Sequence, residues 1–307
     1  MADLTAPQSR GTRIQYIDDV EDQRTFTPGR KWFSPNDDKA WAEKFYLYFI
    51  PIFLGYNALV QNMGWLDTGN FWNVAQNIIM WLPYCFFLPL YLRRNQPIPF
   101  YRQWWFKYQI YIAVVVFWLT FWHTEYFFKA LGMRYSFPNV TWYFDSAYLG
   151  PDQATALANN QRIPPSMYLN ASAFFTVYHV AAVVVIRRIS NFVQNNRATA
   201  HKLLFAVAVA VTALFFAWAE TFLYMTAPAS NNVWYINLPW MLMVGSWFYM
   251  MYFIFTFPNV FWLDERPEKR PWSLYRVVIE PTAMAMLILF ALDMWVLVGL
   301  PTVPGPA

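Results

Sequence analysis

Apolar residues gather along the chain into seven runs, near 45–64, 72–92, 105–128, 168–187, 203–225, 239–262 and 282–300. About 20 apolar residues span a bilayer as a helix, so the pattern predicts an all-α membrane protein with about seven transmembrane helices. Polar stretches frame them. Residues 1–44 read as a polar N-terminal tail and entry helix, 45–300 as the transmembrane domain, and 301–307 as a C-terminal tail. Within the first stretch, 1–30 read as a mobile tail with no apolar core of signal-peptide type. Asn36-Asp37-Asp38 then favours a helix start, because acids in a first turn suit the helix dipole.

Charge orients the runs. Of 22 Lys and Arg, 19 fall on alternate segments: the N-terminal tail, the loop after the second run, the loop after the fourth, and residues 263–281. That asymmetry predicts a cytoplasmic N-terminus, an outer C-terminus and an outer loop at 139–167. The proline-bearing loop reads as a cap over the outer face or as a disordered insertion. The membrane is the cytoplasmic one in a bacterium and the endoplasmic reticulum in a eukaryote. Cys85 is the only cysteine, so neither an intrachain disulfide nor a cysteine metal cluster can form.

Composition narrows the chemistry. Hydrophobic residues make up 58% and charged ones 13%, with 17 Trp, 20 Tyr and 29 Phe. Three histidines are too few for a membrane di-iron centre, the last run has no lysine for a retinal Schiff base, and no Gly-rich loop points to nucleotides. Nothing points to nucleic acid. What remains is cofactor-free proton transfer on an apolar substrate, or passive lipid binding.

The ionisable residues at membrane depth are few: Glu125, Glu220, Asp293, His123 and His179. Such groups are costly in hydrocarbon, so they mark either a partner or a task. With alternating spans, Glu125 and Glu220 fall near outer helix ends and Asp293 and His179 nearer the middle, so three carboxyls and one or two imidazoles can share a zone in the outer half, the pattern of an intramembrane acid–base site. Plainer readings stand beside this one. Glu125 and Lys129 are spaced to pair at the interface, Asp293 can serve as a structural acceptor, and His179 can hydrogen-bond across helices. Arg187-Arg188 reads as a headgroup anchor. Trp118, Trp122, Trp218 and Tyr249, in helix middles, can line a ligand cavity.

An ordered set of motifs resembles the cycloeucalenol cycloisomerase family. It comprises Tyr126-Phe-Phe-Lys129 with Gly132, Tyr135, Phe137 and Pro138; Tyr178-His179-Val180-Ala181; Arg187-Arg188; and Glu220-Thr221. It continues with Gly245, Phe248-Tyr249, Tyr252-Phe253-Ile254, Phe257-Pro258, Asp264-Glu265, Leu292-Asp293, Trp295, Gly299 and Pro301, so it covers roughly 32–301. Where the family pattern has a histidine before Tyr-Phe-Phe, this chain has Glu125, with His123 two residues earlier. The resemblance implies an enzyme that opens the 9β,19-cyclopropane ring of a sterol to an 8(9)-unsaturated product. An acid protonates C19, positive charge develops at C9, and a base removes the C8 proton, with no cofactor or metal. It implies catalytic roles among Glu125, Glu220, His179, Asp293 and His123, and substrate contacts from Tyr126, Tyr178, Trp122, Trp218, Tyr249 and Trp295. The partners implied are a cyclopropyl sterol and membrane lipids. A sterol double-bond isomerase, or a non-catalytic sterol- or lipid-binding protein, fits the same residues.

Overall fold

The computed structural model describes residues 24–145, 162–192, 198–225 and 232–304. Most of the expected tail and most of loop 139–167 lie outside them. The described chain is helical: α1 (Asp37–Asn62), α2 (Asn70–Leu92), α3 (Trp104–Lys129), α4 (Pro165–Ser190), α5 (Ala198–Met225), α6 (Leu238–Tyr249), α7 (Met251–Trp262) and α8 (Leu274–Leu297). Two short antiparallel ribbons join the loops. β1 (Met133–Tyr135) pairs with β4 (Val233–Tyr235), and β2 (Phe144–Asp145) pairs with β3 (Arg162–Ile163).

Among the described residues, α2, α3, α4, α8 and most of α5 (Thr199–Leu223) are long and apolar enough to cross a membrane. The pair α6 and α7, bent by 43° at Met250, makes a sixth when taken as one span. The fold is that of a multi-pass membrane protein; against the expected seven runs, five described helices, or six with the bent pair, pass by length and composition. The shortfall is α1, where the first span was expected. Its apolar run carries Asn57, Gln61 and Asn62, and the turns before that run hold the buried Asp38, Lys39 and Glu43.

Local chemistry sets the boundaries. The Asn36 side chain caps α1 by accepting from the Asp38 and Lys39 backbone amides, as an N-cap should. Wide π-turns interrupt the helices at Pro83–Phe87 in α2, starting on a proline, and at Met241–Gly245 in α6, two residues after Pro239. Gly132 has φ 75, and a Cβ there would lie 2.6 Å from Ile236, so the turn into β1 requires glycine.

Cross-helix bonds fix the arrangement. Trp118 Nε1 donates to Thr282 Oγ1 at 3.1 Å, and further along both helices Tyr126 donates to Asp293. The helices α3 and α8 therefore run in the same direction. The start of α1 meets the end of α2 through Asp38 and Arg93 (2.5 Å) and the end of α7 through Lys39 and the Leu263 carbonyl (2.9 Å). At the opposite end, Asp67 accepts from Asn139 and Asn70 from Thr141, tying the α1–α2 turn to the loop after β1.

The first end is held by a buried ion network. Arg187, 3% exposed, binds Glu43 (2.7 and 3.0 Å) and Glu265 (2.8 and 2.9 Å) in two forks. Lys39, fully buried, salt-bridges Glu265 at 2.9 Å and caps the end of α7 through the carbonyls of Val260, Phe261 and Leu263. Asp264, at φ 50, accepts from Lys107 Nζ (2.7 Å) and the Trp272 amide (2.6 Å), which hold this left-handed residue in place. Burial alone would raise the Glu265 carboxyl, but Lys39 and Arg187 outweigh it and hold it below the usual range. Its contribution to stability is therefore present above the unfolded glutamate pKa and is lost as pH falls through the lower folded value. The expected role of Arg187 as a headgroup anchor is corrected: its guanidinium is buried between two carboxylates. Arg188 instead lies over Phe192 at 4.2 Å and Trp32 at 5.3 Å.

Candidate active site

At the end opposite this network, α3, α5, α6, α7 and α8 bring polar side chains together in an aromatic setting. Two of them are carboxyls, each held by a tyrosine. Tyr249 of α6 donates to Glu220 of α5, and Tyr126 of α3 donates to Asp293 of α8. A row of rings joins the two pairs. Tyr249 meets Tyr252 edge-on at 5.2 Å, Tyr252 meets His123 at 5.4 Å, and His123 meets Tyr126 at 6.3 Å. The bend at Met250 lets Tyr249 and Tyr252, three residues apart, serve the same site from two helices.

Packing fixes the row. Phe127 meets Tyr249 at 4.9 Å and Tyr252 at 5.6 Å; Phe248 lies between Tyr126 (6.2 Å) and Trp295 (5.6 Å). Tyr126, Tyr249, Tyr252 and His123 are all buried. Strand β4 closes the site from above, where buried Tyr235 sits beside Thr221 and close to Glu220. The C-terminal segment adds a strap: Trp295 Nε1 donates to Pro301 O (3.0 Å) and the Val303 amide to Ala130 O (2.7 Å). An apolar groove of about 390 Å³ runs alongside between α7 and α8, lined by Met251, Phe255, Leu287, Phe290, Ala291 and their neighbours.

The other residues singled out from the sequence fall elsewhere. Glu125 is buried and ion-paired with Lys129 one turn along α3, so its carboxyl has a partner at the rim. His179 lies midway along α4 with both nitrogens engaged, Nδ1 with Phe175 O and Nε2 with Thr256 Oγ1, each at 2.8 Å. Phe175 and Phe257 pack on its ring at 5.2 and 4.9 Å. Tyr178 packs with Phe216 at 5.3 Å, on the His179 side of the bundle. Trp122 stacks on Trp118 at 4.3 Å, while Trp218 stacks on Phe222 at 4.8 Å and, at 39% exposure, faces out of the bundle.

The structure thus gathers Glu220, Asp293, His123, Tyr126, Tyr249 and Trp295, leaves Tyr178 at the edge of the row, where Phe253 packs between it and Tyr249, and separates His179 and Trp218. Tyr235 and Tyr252 were not singled out as site residues. Tyr252 stands in a motif of the resemblance, but an aromatic residue in an aromatic run gives no signal of its own. Tyr235 lies in a loop strand that hydropathy does not detect. Among the described residues, no three His, Cys, Asp or Glu side chains converge to hold a metal ion.

Chemically, the row offers two hydrogen-bonded carboxyls apart from each other, an imidazole between them, and aromatic faces throughout. This can give a proton to an apolar molecule at one point, take one at another, and hold positive charge against ring faces in between. Comparison with known proteins gives no matching family model and no matching solved structure. A relative does match: the chain is 26% identical over 279 residues, 90% of its own length and 91% of the other's, to an Arabidopsis thaliana protein named cycloeucalenol cycloisomerase. From one end of the described bundle to the other, the chain is similar to a cycloeucalenol cycloisomerase, as its ordered motifs indicate.

Proposed function

We propose that the chain is a sterol isomerase of the cycloeucalenol cycloisomerase kind, opening the 9β,19-cyclopropane of a membrane-dissolved sterol. The observation that supports this most is the near full-length similarity together with the Glu220–Tyr249 and Asp293–Tyr126 pairs on either side of one aromatic row. One carboxyl group gives its proton to C19 as the C9–C19 bond breaks, which creates the angular methyl and leaves C9 positive. The other takes the C8 proton, and the C8–H electrons form the 8(9) double bond. One proton enters and one leaves, so the balance needs no oxidant or reductant. The phenol of each pair orients its carboxyl toward the substrate. The groove between α7 and α8 suits the apolar remainder of the sterol.

Conversion of a cyclopropyl sterol by detergent-solubilised protein, with nothing else added, tests the reading. Formation of the 8(9)-unsaturated product supports it; tight binding without conversion makes the protein a sterol binder. Conversion of an 8(9)-unsaturated sterol to a shifted alkene, with the cyclopropyl sterol left intact, makes it a double-bond isomerase.

The cationic intermediate gives a second test. A sterol-like amine protonated where C9 lies should bind more tightly than its neutral carbon analogue, because a site built for the transition state favours its charge. That preference should shrink in Asp293→Asn and Glu220→Gln and persist in Lys129→Met, whose ammonium lies at the rim. Equal inhibition constants for the amine and the carbon analogue would remove the carbocation from the scheme.

The topology reading goes with it: seven spans, N-terminus cytoplasmic, with α1 as the first. Supporting it, α1 is 26 residues long and so about 39 Å, and its two ends meet the opposite ends of the bundle. In a Cys85→Ser background, a cysteine at exposed Trp142 is expected to react with an impermeant reagent on intact cells. A cysteine at Lys269 should react only after lysis. The reverse pattern inverts the protein in the membrane.

A further inference from the structure

Tyr252 and His123 differ from every other polar group in the site. Tyr252 is 1% exposed and His123 0% exposed. Among the described residues, neither the Tyr252 hydroxyl nor either His123 nitrogen has a hydrogen-bond partner. The Ala285 backbone of α8 faces His123 but lies outside hydrogen-bond geometry. Their rings meet edge-on at 5.4 Å, so the orphan atoms belong to one locality, and the Tyr252 hydroxyl is oriented among Tyr126, Tyr235 and Glu220. A buried polar atom without a partner is costly, and folds keep such groups chiefly where function uses them. The contrast with His179, bonded at both nitrogens, and with Tyr249 and Tyr126, each bonded to a carboxyl, makes the pair stand out.

We infer that Tyr252 and His123 form a hydroxyl-recognition point, and that the ligand group they receive is the lone 3-hydroxyl of the sterol. This rests on the sterol reading above. A phenol and a neutral imidazole can each both donate and accept, which is the complement of an alcohol and of no purely apolar group. Position agrees with chemistry. In a 9β,19-cyclopropyl sterol, the hydroxyl is on ring A and the cyclopropane carbons lie at the junction next to it. A hydroxyl held in the row therefore keeps the cyclopropane in the same half of the bundle as the two tyrosine-held carboxyls. His123 is six residues, about 9 Å, from the end of α3, so the hydroxyl passes the rim and enters the bundle.

The test is equilibrium binding of the ring-opened 8(9)-unsaturated sterol and its 3-deoxy analogue, which avoids turnover. A site with polar groups waiting for a hydroxyl rejects the analogue that lacks it, so wild type should prefer the alcohol at least about 10-fold. In Tyr252→Phe the preference should narrow to within about 3-fold. The thermal midpoint of ligand-free Tyr252→Phe should stay level or rise, since no bond within the protein is lost. An unchanged preference in Tyr252→Phe overturns the inference. So does no preference in wild type, which would make the pair a buried water site only, and so does a lowered midpoint, which would reveal a structural bond. Cyclopropyl-sterol conversion is scored separately. Conversion without hydroxyl discrimination leaves the isomerase reading standing and removes this inference; discrimination through Tyr252 without conversion does the opposite.

Discussion

Glu220→Gln is expected to lower turnover of a cyclopropyl sterol by about 10²-fold or more while leaving the fold and sterol affinity close to wild type. The range is that of a lost general acid or base. Glutamine keeps a carbonyl oxygen to accept from Tyr249, so the link from α5 to α6 survives and only the exchangeable proton is lost. Asp293→Asn should behave alike, because its amide oxygen can still accept from Tyr126. Glu125→Gln should cost far less, within about 10-fold, because that carboxyl is already committed to Lys129 and stands outside the row. Turnover and binding measured on the three variants in one detergent would rank them. If Glu125→Gln alone abolished turnover, the acid would lie at the rim and the two tyrosine–carboxyl pairs would be structural.

Arg187→Met is expected to destabilise the protein by about 3–5 kcal/mol, although Arg187 lies at the far end from the site. The guanidinium answers both Glu43 and Glu265, and without it two buried carboxylates share Lys39 alone. For a chain of this size, such a loss lowers the unfolding midpoint by on the order of 10 °C. Adding Glu43→Gln should recover part of it, because the excess negative charge is removed together with its partner. Arg188→Met, at the surface over Trp32 and Phe192, should cost less than about 1 kcal/mol. Thermal unfolding of the four proteins would decide. A shift for Arg187→Met no larger than for Arg188→Met would make the network ornamental.

These two expectations separate the ends of the molecule. At one end Arg187, Lys39 and Lys107 are matched by Glu43, Glu265 and Asp264, and the network joins α1, α3, α4 and the segment after α7, so its work is to fix helix positions. At the other, carboxyls are held by tyrosines and, among the described residues, the Tyr252 hydroxyl and the His123 nitrogens have no hydrogen-bond partner, the feature on which the hydroxyl proposal rests. A rigid floor under a ligand-facing half suits a reaction that needs two carboxyls at a fixed separation.

The linear pattern by itself determined the long helices, because about 20 apolar residues have few alternatives to a helix in a bilayer. It also brought Glu220 and Asp293 to one end, since alternation of spans decides which helix ends are neighbours. Its limit was direction around each helix. The spanning helices are apolar on nearly all sides, so no polar face marks which way a residue points. Trp218 and Tyr249 looked equally suited to line a cavity, yet one faces outward and the other bonds Glu220. His179 and His123 looked alike, yet only His179 finds Thr256, 77 residues away in sequence. Arg187 looked like an anchor because Glu43, its partner, is 144 residues off. Tertiary packing alone decided these points. A hydrogen bond or ion pair depends on the rotation and height of two helices together, and neither is written in the hydropathy of one.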